Sequence, residues 1–141
     1  RICGENSKFG VPINRLGLVM AYPEIEALVS LVGPSVALEI LYEARVFGAE
    51  EAHEKGLVNR VVPDEEVDAA VAKTVDKICA GAPLVNRWHK KFVYKVVNGI
   101  RPPQLLSQQD EAEGFACFDT EDYQEGVRAF LAKDKPDFKG K

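Results

Sequence analysis

The chain has 141 residues, 46% of them apolar and 28% charged, and a net charge of −4. That length suits one domain of ordinary size, able to bury roughly two thirds of its unfolded surface. The negative charge disfavours a general nucleic-acid or anionic-membrane surface. Three widely spaced cysteines, Cys3, Cys79 and Cys117, provide neither a disulfide framework nor a zinc site.

The thiols therefore read as reduced and mostly buried, as in a cytoplasmic protein. No apolar run reaches the ~18 residues of a membrane span, and no signal peptide is visible. The chain opens at Arg1 in strand-like sequence, as part of a longer protein would.

In chain order, Arg1 to Cys3 suits the end of a strand, and "GENSK" supplies turn residues. Phe9 to Val19 is apolar enough for buried extended backbone, with Pro12 and Gly17 limiting its regularity. Pro23 suits the first turn of a helix, where its missing N–H costs nothing. Glu24 and Glu26 suit the positive end of that helix's dipole. Ile25, Leu28, Val29 and Val32 follow its apolar spacing.

Gly33-Pro34 ends this helix and begins another, whose buried stripe is Val36, Ile40 and Leu41. "GAEEAHEKG" predicts a short helix closed by Gly56 in the left-handed conformation. "LVNRVVP" predicts a short strand ended by Pro63. Asp64 is placed to cap the next helix, whose stripe runs through Val67, Ala70, Val71, Val75 and Ile78 to Cys79. Helices follow at about 83 to 98, 103 to 117 and 121 to 133. Asn98-Gly99 and Pro102-Pro103 separate the first two, and Thr120 starts the last. "KDKPDFKGK" reads as a basic, frayed tail.

Groups able to do chemistry are sparse. His53 sits among Glu51, Glu54 and Lys55, and His89 lies in "NRWHKKFVYK"; both contexts read as solvated helix faces, without an HExxH or triad pattern. Trp88 and Phe92, one turn apart, read as core anchors rather than a base-stacking platform. Phosphate loops of the GxGxxG and GxxxxGK[ST] types are absent. Glu24 and Glu26 are either an acid/base pair or first-turn acids complementing the dipole, and two residues apart they point in different directions. Phe130 and Lys133 are one turn apart, so an aromatic face and an ammonium can flank one ligand, such as an adenine beside a phosphate.

Three segments, "FGVPINRLGL", "LVGPSVALEILYEARVFGAEEAHEKGLVNRVVP" and "EDYQEGVRAFLAKDKPDFKGK", resemble in order the carboxyl-terminal half of the enoyl-CoA hydratase/isomerase (crotonase) family. The resemblance implies a partial crotonase-like α/β fold. Residues 1–64 would complete its spiral core, and residues 65–141 would form a helical region for trimerisation and CoA covering. It also implies an acyl-CoA thioester substrate, no cofactor beyond the CoA of that substrate, and a homotrimer or dimer of trimers. The oxyanion hole and the first of the hydratase's glutamates belong to the other half of the family pattern.

The second glutamate of the family should follow the proline of "FGxPE", and this chain has Ile13 there. An isoleucine transfers no proton. The aspartate used by some relatives is matched by Ala21, and the family's "PGAGGTQRL" run by "MAYPEIEAL". Glu24, an ionisable group near the turn, becomes the candidate catalytic residue. Phe130 and Lys133 match the family's CoA-holding Phe and Lys. Three readings follow: an enzyme stabilising a thioester enolate, an acyl-CoA-binding module that has lost its acids, and an RNA-binding role known for some members. The net charge argues against the last.

Overall fold

A computed structural model of the chain describes residues 1–97 and 107–141. It divides into two compact units, Arg1–Lys73 and Thr74–Lys141.

In the first unit, strand β1 (Ile2–Gly4) pairs in parallel with β4 (Arg60–Val62), and β2 (Lys8–Phe9) pairs antiparallel with β3 (Phe47–Gly48). Between them run the long helix α1 (Tyr22–Glu43) and the short helix α2 (Ala49–Glu54). As Gly33-Pro34 predicts, α1 is two helices in one run: Gly33 leaves helical geometry at φ 76°, ψ 165°. Ile40, Phe47, Ala52 and Val58 make the buried core, with Leu28 and Val36 packed against it. Phe47 stacks on Phe9 with ring centroids 6.3 Å apart, joining the two strands of the antiparallel pair through their side chains. Gly56 takes the left-handed conformation (φ 77°) expected after α2.

Several expectations need correction. The stretch after Phe9 is not buried extended backbone. Pro12–Leu16 is a 3-10 turn ended by Gly17 in the left-handed conformation, and Leu16, Leu18, Val19 and Tyr22 are exposed. Pro12 starts that turn because its fixed φ suits a first helical position. Asp64 does not cap the helix after it. Its carboxylate instead accepts from the backbone N–H of Asn6 (3.3 Å) and from the Asn6 side-chain amide, tying β4 to the turn after β1. By length and apolar composition α1 does qualify as a membrane span, contrary to the sequence reading, because its charges lie only toward its ends.

Helix α3 (Val67–Cys79) crosses the division between units, and its apolar residues Val71, Val75 and Ile78 stay exposed. In the second unit α4 (Pro83–Val97), α5 (Gln108–Phe115) and α6 (Glu121–Ala132) follow. Ser107 caps α5, its hydroxyl accepting from the Asp110 N–H at 3.2 Å. The expected breaks at Asn98-Gly99 and Pro102-Pro103, and an α5 start at 103, lie outside the described residues. Thr120 caps α6 as predicted, accepting from the Tyr123 N–H at 3.1 Å. Trp88 and Phe92 are half-buried rather than core anchors. Cys79 is exposed and Cys3 and Cys117 are half-buried, so the thiols are not mostly buried.

Candidate functional site

In the first unit the turn carrying Ile13 is fixed from three sides. Gly10 approaches the backbone leading into β3 so closely that a Cβ there would lie 2.5 Å from the Arg45 carbonyl oxygen. The Asn14 side-chain amide donates to the carbonyls of Leu41 (3.0 Å) and Tyr42 (3.2 Å), which are otherwise open at the end of α1. Gly17 closes the turn, its N–H donating to the Asn14 carbonyl at 3.0 Å. Ile13 itself is half-buried. The backbone at this position is therefore well held, while the side chain is chemically inert.

Glu24 stands in the first turn of α1. One of its carboxylate oxygens accepts from the Ala21 N–H at 2.8 Å, the reciprocal half of a capping box. Its side chain is exposed, as is that of Glu26. The dipole-complementing reading of Glu24 is thus realised in the structure, and the carboxylate stays accessible to solvent.

Behind the turn lies an ion-pair chain that sequence spacing did not reveal. Arg45 grips Glu51 through both terminal guanidinium nitrogens, one at 2.7 Å, and donates from Nε to Glu43 at 2.5 Å. Lys55 bonds Glu39 at 2.6 Å and approaches Glu51 at 3.3 Å. The Arg45 hydrogen bond holds the Glu51 carboxyl down at about 2, with Lys55 assisting. Glu51 and Glu43 in turn raise the Arg45 guanidinium, and Glu39 raises the Lys55 ammonium. Arg45 also lies 5.5 Å over the Phe47 ring. Only the Glu51–Lys55 pair has helical spacing; Glu39 of α1 meets Lys55 at the end of α2, and Arg45 meets Glu51, through the fold.

In the second unit Phe130 is 82% exposed near the end of α6. Lys133 takes the left-handed conformation just past it (φ 53°), its N–H donating to the Phe130 carbonyl at 3.2 Å. This bond joins the two backbones only; the Phe130 ring lies on the rim of an apolar cavity of about 360 Å³, which Lys133 does not line. Val85, Val127, Leu131 and Phe138 line that cavity beside Phe130. Glu24 belongs to the other unit. His53 and His89 are exposed, and among the described residues no cluster of His, Cys, Asp or Glu could hold a metal ion.

The tail beyond α6 is not frayed. Asp122, 3% exposed, accepts from the N–H groups of Lys139 (2.7 Å) and Gly140 (2.9 Å). Glu125 accepts from the Asp137 N–H at 2.9 Å and pairs with Arg128 at 2.7 Å. The Arg128 bond, then the Asp137 N–H, hold the Glu125 carboxyl at about 2. The Glu125/Arg128 spacing was a visible signal for that pair; no signal in the sequence marks Asp122 as the partner of residues 139 and 140.

Comparison with known proteins is consistent along the whole chain. A family model described as enoyl-CoA hydratase/isomerase matches residues 1–141. A crotonyl-CoA hydratase from Syntrophomonas wolfei is 37% identical over 98% of this chain and 52% of its own length. A short-chain-enoyl-CoA hydratase from Clostridioides difficile is 33% identical, over 92% of this chain and 83% of its own. Among solved structures, an enoyl-CoA hydratase/carnithine racemase from Magnetospirillum magneticum superimposes with a TM-score of 0.93 at 48% identity. That match covers all of this chain and 51% of the other. The chain thus spans about half the length of the first and third of these proteins, and its fold is the crotonase-like one, in part. The chain belongs to the enoyl-CoA hydratase/isomerase family.

Proposed function

We propose that the chain is the carboxyl-terminal half of a cytoplasmic enzyme that stabilises the enolate of an acyl-CoA thioester, hydrating an enoyl-CoA or shifting its double bond. The observation that carries this is the match to hydratases over the whole of this chain, at a TM-score of 0.93 and 48% identity for one solved relative. Crotonyl-CoA and short-chain enoyl-CoA in the relatives' names point to the substrate class. In this reading the backbone donors that receive the thioester oxygen come from the amino-terminal half, and they provide the largest electrostatic help. Phe130 and Lys133 hold the CoA adenine and phosphate, the ring by stacking and the ammonium by charge. Glu24 is the proton-transfer group, its exposed carboxylate standing in for the acid that Ile13 replaces. No cofactor beyond the substrate's own CoA is needed. The exposed Leu16, Leu18, Val19 and Tyr22 are apolar surface for the amino-terminal half or for neighbouring subunits of a trimer.

Ile13 favours one other reading, a binding module that keeps CoA esters without turning them over. A crotonyl-CoA titration, paired with hydration and isomerisation assays of the protein containing both halves, separates the two. Binding with turnover supports the enzyme, and Glu24→Gln should then lower kcat roughly a hundredfold, the low end of a general acid–base contribution. Full activity in Glu24→Gln removes Glu24 from the mechanism. Binding without turnover selects the module, and no binding sinks both. This chain alone, without the oxyanion donors, is expected to be inactive.

A further inference from the structure

Among the described residues Asp122 is the buried charged side chain, and nothing in the proposed chemistry uses it. An isolated buried carboxylate is costly, and such groups persist where hydrogen bonds satisfy them. Here both oxygens are satisfied by backbone donors of the tail, Lys139 at 2.7 Å and Gly140 at 2.9 Å. The Asp122 N–H completes the link by donating to the Lys141 carbonyl at 3.1 Å. Asp122 also lies in the first turn of α6, where the helix dipole favours a negative charge.

The clamp has a consequence for the cavity. One turn along α6, Glu125 receives the Asp137 N–H at 2.9 Å, so the tail is tied on both sides of Phe138. The Phe138 ring then lies against Gly126, where an added Cβ would sit 3.5 Å from the ring edge. Phe138 thereby becomes one wall of the apolar cavity whose rim carries Phe130. Freed from the clamp, residues 137 to 141 would retain the entropy of a chain end, and that wall would be lost.

We propose that Asp122 is a positioning residue: it clamps the carboxyl-terminal tail onto α6 so that Phe138 walls the cavity and sets the orientation of Phe130 for the CoA moiety. The link to CoA rests on the function proposed above, whereas the clamp itself does not. Two substitutions in the protein containing both halves test it, Asp122→Asn and Phe138→Ala. The readouts are hydrogen exchange at the amides of Lys139 and Gly140, the Kd for crotonyl-CoA, and the split between KM and kcat.

Asp122→Asn turns one acceptor into a donor facing a donor. Hydrogen bonds to a charged group are the stronger kind, so exchange at 139 and 140 should quicken roughly tenfold to a hundredfold. The Kd and KM for crotonyl-CoA should rise several-fold, by more than any fall in kcat. Phe138→Ala should weaken crotonyl-CoA binding similarly while leaving exchange at 139 and 140 slow, a pattern that general loss of stability does not produce. Unchanged exchange in Asp122→Asn overturns the clamp. Faster exchange with unchanged Kd overturns the link to CoA. If Asp122→Asn gives no soluble protein, Phe138→Ala decides, and an unaltered Kd there overturns the proposal. Failure of the unsubstituted protein to bind crotonyl-CoA sinks the functional reading, and the exchange data still judge the clamp.

Discussion

Gly10→Ala tests whether the turn bearing Ile13 depends on a close backbone approach. An alanine Cβ would lie 2.5 Å from the Arg45 carbonyl oxygen and 3.2 Å from the Val46 Cα. Both are backbone atoms of the segment leading into β3, so no side-chain rotation relieves the contact. Reaching ordinary contact distance requires the strands to part by on the order of 1 Å, which strains the Phe9–Phe47 stack beside it. Overpacking of this kind costs about 1–3 kcal/mol, a sizeable part of a typical stability of about 5–15 kcal/mol. With a urea slope of about 2 kcal/mol per molar, the unfolding midpoint should fall by about 0.5–1.5 M. Gly48→Ala is the control, because no atom lies within 4 Å of its added Cβ. Its effect should stay within about 0.5 kcal/mol. A Gly10→Ala midpoint equal to that of the unsubstituted protein would refute the steric argument, as would equal losses in the two variants.

Ile13→Glu, made in the protein with both halves, places a carboxyl at the family's acid position on a turn that is already held. Crotonyl-CoA hydration should rise at least tenfold, toward the roughly hundredfold of a positioned acid; no rise would mean that the turn does not present this position to the thioester. Asn14→Ala removes both amide bonds to the Leu41 and Tyr42 carbonyls. It should cost about 1 kcal/mol by urea titration, and an unchanged midpoint would show the bonds to be dispensable. Glu51 and Glu125 have folded values of about 2 against an ordinary 4.5. A depressed carboxyl stabilises the fold above its unfolded value, and that contribution is lost as pH falls from about 4.5 to about 2. Melting temperature should therefore decline across that window, and Arg128→Met should flatten part of the decline; an identical pH profile in the variant would contradict the assignment.

Local chemistry was legible in the residues themselves. The break at Gly33-Pro34, the left-handed Gly56 and the Thr120 cap depend on near neighbours. Their conformations follow from φ preferences and capping groups within a few residues. Family membership was legible for a related reason: its motifs occur in order along one chain. Tertiary structure alone decided what lies far apart in sequence. Asp64 could bond either its own helix or Asn6, 58 residues away, and the parallel pairing of β1 with β4 brought Asn6 within reach. Phe9 to Val19 had the composition of a buried strand, but a strand needs a partner edge, and within that stretch only Phe9 pairs, with Phe47. Asp122 looked like any first-turn acid, and only the return of the tail 17 and 18 residues later made it a buried clamp. A short-range preference chooses among conformations of one segment, whereas burial and hydrogen-bond partnership depend on which distant segment arrives.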